Sequence, residues 1–506
     1  MTESHRHAVS RRAALVAACG VLAACATPPS LRPARWPAGL AGRTIEAASG
    51  TASASHAPKA GTEAVRSSAF AAWPEQVWWR HWQIPELDAL ISRARQQAPG
   101  VALAEARIRA AQSVLERIQS GQGLQAGIAV EATRTRFSEV GAAPAALAGR
   151  QAWNNAARLN LSWDLDWSGR QRAAVEAAFS SLHAVQAEVV AAQVLLDTEI
   201  ALAWFELARL QALIDWGDRL LALQERQRLL LSQRVNAGLD RSDLLEPLLA
   251  AQARSRAERL EHERLQSRVR RVIDELCGGA APQSVPLTGR WPDKAPDMPA
   301  AQLPASLLAR RADLVAHRWR IESAEGTVRQ AHAAHFPDVN LAAFAGLISL
   351  GLDRWISLGA RSYGIGPVLS LPVFDAGARA AQQSEREAIR DGLIADYHAA
   401  LLRAVREVAQ ELEGLRDLQS QRQALQEALR AGEKGLAAAH ARQQAGMGTA
   451  MPVLEAEQQL LLSQRPIIEL QARQWMGRVS LVRALGGGFD DEQSALPVRL
   501  GLRETP

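Results

Sequence analysis

Alternating apolar and polar side chains predict one clear β-strand over residues 157–167. Leu159, Leu161, Trp163, Leu165 and Trp167 alternate there with five polar residues, so one face is apolar and the other polar. Weaker patterns predict three more strands, over residues 128–137, 339–345 and 363–373. A Gly-, Ala- and Pro-rich stretch over 140–150 is typical of the loop between the first two strands.

Helical patterns occupy most of the remaining chain. One runs from Pro85 to Gly121, and a much longer one follows Gly169 to about residue 235 without a proline. Its length at 1.5 Å per residue is about 100 Å. A second long pattern covers residues 378–444, with a near-heptad apolar seam that is typical of helices packed side by side. The fold class is therefore mainly α with a small β part.

The long helices belong to an internal tandem repeat. A strand, a glycine, a long helix and an Ala-Gly pair occur twice, and Gly169 precedes Gly377 by the same 208 residues that separate Gly238 from Gly446. We predict a first repeat over 69–280, a Pro-rich connector over 281–304, a second repeat over 305–488 and a C-terminal tail over 489–506.

The N-terminus predicts a secretory signal peptide over residues 1–24. Arg11 and Arg12 precede an apolar run that is too short to span a bilayer. Leu22-Ala23-Ala24-Cys25 resembles the bacterial lipobox, whose cysteine carries the lipid anchor, and residues 25–68 have the composition of a flexible tether. Cys19 offers a second lipobox match, and an ordinary signal peptide is the remaining alternative. An Asp directly after the lipobox cysteine resembles an inner-membrane retention signal. Ala26 occupies that position here, which favours the outer membrane.

Composition excludes several classes of function. The net charge is only +5 over 506 residues, and the basic residues are dispersed, so the sequence contains no basic cluster for nucleic-acid binding. Three cysteines exclude a disulfide framework, and no nucleophile elbow, P-loop or metal-binding motif is present, so we predict no enzyme, metal or cofactor beyond the lipid on Cys25. Four tryptophans over residues 73–82 are typical of apolar anchors that dock a terminal segment.

Four strands of about ten residues have the length of tilted membrane strands, but four strands are too few to close a barrel. Open sheet edges do not face lipid, and the smallest outer-membrane barrels have eight strands. The strands therefore form a soluble sheet, or several chains pool them into one barrel. Tryptophans near the strand ends would suit an interfacial girdle, namely Trp153, Trp163, Trp167 and Trp355.

Several motifs resemble the outer-membrane efflux lipoproteins of the TolC/OprM (NodT-type) family. They are the lipobox, the Trp-rich start, and the sequences at residues 163–170, 334–339, 369–377 and 479–488. The resemblance implies a homotrimer with a 12-stranded transmembrane β-barrel in the outer membrane and a periplasmic α-barrel built from the long helices. It also implies a passive exit duct, fed by a periplasmic membrane-fusion adaptor and an inner-membrane pump of RND, ABC or MFS type.

The same resemblance assigns roles to individual residues. Gly169 and Gly377 would join the membrane barrel to the helical tube. The two helix turns would dock the adaptor at the periplasmic tip; the residues are Arg234, Ala237 and Gly238 in the first turn and Arg442, Ala445, Gly446 and Thr449 in the second. Glu455, Asp240 and Asp243 would line an acidic entrance, which attracts cations. Solvated helix faces and plain C-cap glycines are the alternatives.

Two other functions fit the sequence. One is the outer-membrane component of a type I protein-secretion system, although secretion-type relatives resemble non-acylated proteins. The other is a lipid-anchored coiled-coil scaffold without a pore. The apolar stripe of Leu and Trp on the strand argues against a scaffold, which needs no lipid-facing surface.

Overall fold

The computed structural model describes residues 30–33, 44–46, 75–140, 145–279, 287–292, 302–304, 308 and 310–489. The signal peptide, Cys25, most of the predicted tether and nearly all of the C-terminal tail lie outside these ranges. Seven α-helices occur among the described residues: α1 Pro85–Gln97, α2 Pro99–Ser120, α3 Arg170–Asn236, α4 Leu245–Leu276, α5 Ala312–Ala333, α6 Ala378–Gln444 and α7 Ala450–Ala484. The mainly helical class is thus confirmed.

Four strands form one antiparallel sheet, and two short strands pair elsewhere. The four are β2 Gln125–Arg136, β3 Gln151–Asp164, β5 Asp338–Leu350 and β6 Arg361–Ser370, in the order β2-β3-β5-β6. The short pair is β1 Thr44–Glu46 with β4 Gln302–Pro304. Among the described residues, β2 and β6 therefore each have one unpaired edge.

The predicted strand limits were partly wrong, for local reasons. β3 begins at Gln151 rather than 157, because pairing with β2 and β5 extends it through Asn154 and Asn155, where alternation is lost. It ends at Asp164 rather than 167, because the Asp164 carboxylate accepts the Asp166 N–H at 2.9 Å and turns the chain. β6 ends at Ser370, before Pro372, which has no N–H to donate to a ladder.

The strand register sorts the side chains onto two chemically different faces. Ile128 lies opposite Leu159, Leu159 opposite Ala345, and Ala345 opposite Tyr363, so all four share one face. Ile128, Tyr363 and Ile365 on that face are 77%, 84% and 76% exposed, so no described part of the chain covers them. The opposite face carries mostly polar or small residues, among them Glu131, Thr133, Arg158, Asn160, Ser162 and Asn340.

Gly346 explains why β5 is longer than its pattern predicts. The prediction ended at residue 345, but the strand continues to Leu350. A Cβ on Gly346 would lie 2.1 Å from the Ala157 carbonyl oxygen, so β3 and β5 approach closely there. The glycine that broke the alternation is the residue that permits the pairing.

Pro99 divides the first predicted helix in two. A single helix from Pro85 to Gly121 was predicted, but Ala98 has extended dihedral angles (φ −60°, ψ 131°) between α1 and α2. The proline ring disfavours the α conformation of the preceding residue. The prediction of one helix was wrong.

The chain divides into two compact units. The first contains the four-stranded sheet and draws on residues 30–33, Arg107–Gln186 and Ala316–Tyr397. Its helical part has a small core of Leu115, Ala178 and Leu182, and Gly326 approaches Ala177 so closely that a Cβ would lie 2.8 Å from the Ala177 Cβ. The domain limits predicted at 69–280 and 305–488 remain predictions.

The second unit contains the aromatic core. Trp78 and Trp79 are 5% and 2% exposed in a short 3-10 helix, and Trp82 packs edge-on against Phe205 and Trp475 at about 5.5 Å. These tryptophans are docking anchors, as predicted, and Trp73 lies outside the described residues. Cys277 ends α4 in the same core with no exposed surface, and burial raises the pKa of its thiol.

An ion pair between the half-buried Arg95 and the buried Asp197 joins α1 to α3 beside this core. The Arg95 guanidinium donates to both carboxylate oxygens of Asp197, at 3.0 and 2.6 Å, and also lies 4.7 Å from the Trp79 ring centroid. Asp197 is 1% exposed, and burial raises its pKa although the bonds to Arg95 oppose that shift. Removing one partner therefore leaves a buried group without its counter-charge.

We predict that Arg95→Met lowers the free energy of unfolding by roughly 3 kcal/mol, because the buried Asp197 carboxylate loses its counter-charge. The measurement is thermal unfolding in detergent, followed by circular dichroism. The double variant Arg95→Met with Asp197→Leu is the control and should recover most of the loss, since an apolar pair carries no desolvation cost. Equal loss in both variants would contradict the assignment to charge burial.

Candidate functional site

The two strand-to-helix junctions have the same left-handed glycine. Gly169 precedes α3 with φ +71°, and Gly377 precedes α6 with φ +88°. Each carbonyl accepts the first helical bond, from Ala173 at 2.9 Å and from Ala381 at 2.9 Å. Glycine is favoured at both positions because an L side chain is strained at these angles.

An aspartate caps each long helix at its junction, which the sequence interpretation missed. The Asp166 carboxylate accepts the N–H groups of Gln171 and Arg172 at 2.8 and 2.9 Å. Asp375 accepts the Gly377 and Arg379 N–H groups at 3.1 and 3.2 Å, and the Arg379 guanidinium holds the pKa of Asp375 below its ordinary value. Asp just before a helical pattern is the N-cap signal that could have revealed both.

Arg170 connects the first junction to the sheet. Its guanidinium lies 2.9 Å from the Asp338 carboxylate at the start of β5 and 3.6 Å from Asp164 at the end of β3. The start of α3 is thus held against two neighbouring strands.

The two helix turns have the same backbone. In the first, Gly238 donates to the Val235 carbonyl at 2.9 Å and Leu239 to the Arg234 carbonyl at 2.8 Å. In the second, the residues 208 positions later repeat this, from Gly446 to Gln443 at 3.0 Å and from Met447 to Arg442 at 2.9 Å. These are Schellman-type helix ends with a left-handed glycine, φ +70° and +73°.

Each turn presents an apolar side chain to its surroundings. Leu239 follows Gly238 and is 66% exposed, and Met447 follows Gly446 and is 74% exposed. Ala237 and Ala445, one position before the glycines, are also exposed. The two turns are therefore small-residue surfaces with one large apolar side chain each.

Side-chain charge distinguishes the turns. In the first, Arg234 donates through Nε and Nη2 to the Asp240 carboxylate at 2.5 and 3.1 Å, and this bond lowers the pKa of Asp240. Arg241 and Asp243 form a second, more exposed pair at 2.8 Å. Two of the three predicted entrance carboxylates are thus bonded to arginines of their own turn.

The second turn has no such pairing. Arg442 is exposed and has no carboxylate within 4.0 Å among the described residues, and position 448, equivalent to Asp240, is glycine. Thr449 precedes α7 as its N-cap residue but makes no side-chain capping bond. Glu455 is exposed in the second turn of α7.

A buried polar cluster on α6 was also missed. Gln383, Glu387 and Arg390 are buried, at 2%, 4% and 5% exposed. Arg390 donates to the Arg32 carbonyl at 2.9 Å, and the Arg32 N–H donates to Glu387 at 3.3 Å. Their i, i+4, i+7 spacing was visible in the sequence, but their N-terminal partner was not.

Nothing in the described part of the chain groups three or more metal-ligating side chains. One apolar 18-residue window occurs in α3, and only 22% of it is buried within the chain.

A four-stranded sheet with one exposed apolar face, two glycine junctions and two 67-residue helices with exposed turns are the features that the sequence predicted for an outer-membrane channel. Comparison with known proteins agrees. The sequence profile described as "Outer membrane efflux protein" matches residues 303–487. The outer membrane protein VceC of Vibrio cholerae, a solved structure, is 32% identical, with a TM-score of 0.73 over 83% of this chain and 100% of that chain. The chain belongs to the outer membrane efflux protein family.

Two further similarities extend this result. "Multidrug resistance outer membrane protein MdtP" of Escherichia coli (strain K12) is 28% identical over 431 residues, which are 82% of this chain and 87% of that protein. The outer-membrane channel OprN has the same fold, with a TM-score of 0.74 at 23% identity over 92% of this chain and 100% of that chain. The predicted family, outer-membrane location and efflux-channel function are confirmed.

We predict that Gly169→Ala destabilises the junction by roughly 1–2 kcal/mol, because alanine is strained at φ +71° although nothing within 4 Å opposes a Cβ. Gly392→Ala is the matched control: Gly392 lies within α6 with equal space and ordinary dihedral angles. That variant should stabilise by roughly 0.5–1 kcal/mol. Thermal unfolding in detergent measures both, and the same sign of change in both variants would contradict the prediction.

Proposed function

We propose that three copies of this chain form a 12-stranded β-barrel that crosses the outer membrane. The support is the sheet itself: β2 and β6 each have an unpaired edge, and backbone groups on an open edge cannot be satisfied in lipid. Pairing β6 of one copy with β2 of the next closes the ring. Three four-stranded sheets give an even strand number within the observed range of such barrels.

The dimensions of the apolar face fit a bilayer. Trp153 and Trp163 lie on this face ten residues apart in β3, which is about 33 Å along the strand. A tilt of roughly 40° reduces this to about 25 Å, the height of the apolar band in outer-membrane barrels. Trp153 and Trp163 then mark its two interfaces. Trp167 is 79% exposed beyond the strand end, and Trp355 lies in the hairpin loop between β5 and β6.

The opposite face of the sheet lines the lumen in this arrangement. Arg158, Asn160 and Ser162 alternate with the lipid-facing residues along β3. Such a lining is wetted and carries both charged and neutral polar groups, so it conducts water-soluble molecules.

The long helices continue the duct as a periplasmic α-barrel. The apolar window in α3 is only 22% buried within one chain, so neighbouring copies of the channel cover it. The exposed turns at Gly238 and Gly446 form the far mouth and dock the periplasmic adaptor, which links the duct to an RND, ABC or MFS pump. Two turns per chain give six docking positions per trimer.

The cargo class follows from the relatives. MdtP is named for multidrug resistance, so we assign small toxic compounds delivered by the pump as the substrates. Glu455 supplies the exposed carboxylates at the mouth, because Asp240 and Asp243 are bonded to arginines. Threefold repetition of Glu455 favours cations over anions at the constriction.

Type I protein secretion is the second candidate, since the same duct would serve it. The lipobox at Cys25 favours efflux. A scaffold without a pore does not account for the exposed apolar sheet face, whose side chains would lie in water.

Planar bilayers test the channel directly. Purified, heat-labile trimers should give discrete single-channel currents with cation preference, and Glu455→Gln should lower that preference without closing the channel. Asn160→Leu is a control within the barrel lumen, far from the mouth in sequence, and should leave the preference unchanged. Absence of any current from intact trimers would refute the pore.

We further propose that Cys25 carries the lipid anchor. Radiolabelled palmitate should label the wild-type protein and the Cys19→Ser variant, but not Cys25→Ser, because only the lipobox cysteine is acylated after cleavage. Labelling is read after gel electrophoresis of the membrane fraction. Label lost in Cys19→Ser and kept in Cys25→Ser would reassign the anchor to Cys19.

A further inference from the structure

The two helix turns share a backbone but differ in one side-chain contact. Arg234 in the first turn is 29% exposed and held by Asp240, which is 20% exposed. Arg442, its equivalent, is exposed and lacks an ion-pair partner within the part of the chain that the structure describes. The difference originates at one position, because Gly448 replaces the equivalent of Asp240.

The first turn is neutralised by its own residues. Asp240 balances Arg234, and Asp243 balances Arg241, so both arginines there are already bonded to carboxylates. An incoming protein that binds either arginine must first break the existing ion pair. The new bond therefore adds little binding free energy.

The second turn keeps an available guanidinium. Arg442 lies in the last turn of α6, and its carbonyl already accepts the Met447 N–H at 2.9 Å, so the backbone position of Arg442 is fixed. A guanidinium on a fixed backbone, without an ion-pair partner among the described residues and close to the exposed apolar side chain of Met447, provides a charge and an apolar anchor for recognition.

We infer that the second turn is the docking site that recognises charge, and that the Arg442 guanidinium there binds a carboxylate at the tip of the incoming adaptor. The first turn offers apolar contact through Leu239, and its two arginines are already bonded to Asp240 and Asp243. The six docking positions of a trimer are therefore three of each kind, alternating around the mouth. This inference rests on the proposed function, because it assumes that the turns meet an adaptor.

Gly448 allows the difference to be erased by one substitution. A Cβ on Gly448 would lie 4.0 Å from the Arg442 Cβ and from the Gln443 nitrogen, which is ordinary contact, and the Gly448 φ is not left-handed. Gly448→Asp thus places a carboxylate beside Arg442, as Asp240 lies beside Arg234. It should occupy the guanidinium and remove it from docking without changing Arg442 itself.

The experiment compares variants in a strain deleted for this gene, with ethidium efflux as the readout. Wild type should restore efflux. Gly446→Trp, which obstructs the turn, is the negative control and gives the efflux rate without docking. We expect Arg442→Gln and Gly448→Asp each to reduce the efflux rate at least about fourfold. Gly448→Asn, equal in size but neutral, should retain the wild-type rate.

Single-channel conductance of the same purified variants separates docking from gating. We expect unchanged trimers and unchanged conductance for Arg442→Gln and Gly448→Asp, because a docking residue acts only with the adaptor present. An altered conductance would overturn the inference, since Arg442 would then act between copies of this chain at the mouth. Full efflux in Gly448→Asp, or an equal loss in Gly448→Asn, would also overturn it. If wild type itself neither conducts nor restores efflux, the proposed function fails first.

Discussion

Satisfaction of backbone hydrogen bonds in lipid is the constraint on which this structure depends. Among the described residues, β2 and β6 each have one unpaired edge, so this sheet alone would be incomplete as a membrane-spanning element. Its register places Ile128, Leu159 and Tyr363 on the same face, where only lipid or another protein can cover them. The proposed trimer satisfies both requirements at once, because closure pairs the edges and turns the apolar face to the bilayer.

The strand-to-helix junctions connect the sheet to the two long helices. Left-handed Gly169 and Gly377 turn the chain from strand to helix, and Asp166 and Asp375 satisfy the first helical N–H groups. A 67-residue helix then extends for about 100 Å without a break. Such a helix has little stability alone, so packing of its apolar side chains against neighbours maintains it.

The two helix turns have the same backbone but different side-chain contacts. The Schellman hydrogen bonds recur at an offset of 208 residues, so the backbone was retained in both copies. The change from Asp240 to Gly448 affects no backbone bond, yet it decides whether the neighbouring arginine is bonded within its own turn. Equal folds therefore need not present equal surfaces.

The sequence by itself determined the fold class, the strand with strict alternation, the two long helices and the glycines at their ends. These features depend on neighbouring residues, which a linear pattern records. Only the tertiary structure decided the ends of β3, the continuation of β5 past Gly346 and the burial of Glu387 against Arg32. Each of these depends on a contact between residues far apart in sequence. The same holds for Arg234 and Arg442, which occupy equivalent sequence positions but differ because, within the part of the chain that the structure describes, only Arg234 has a carboxylate within reach.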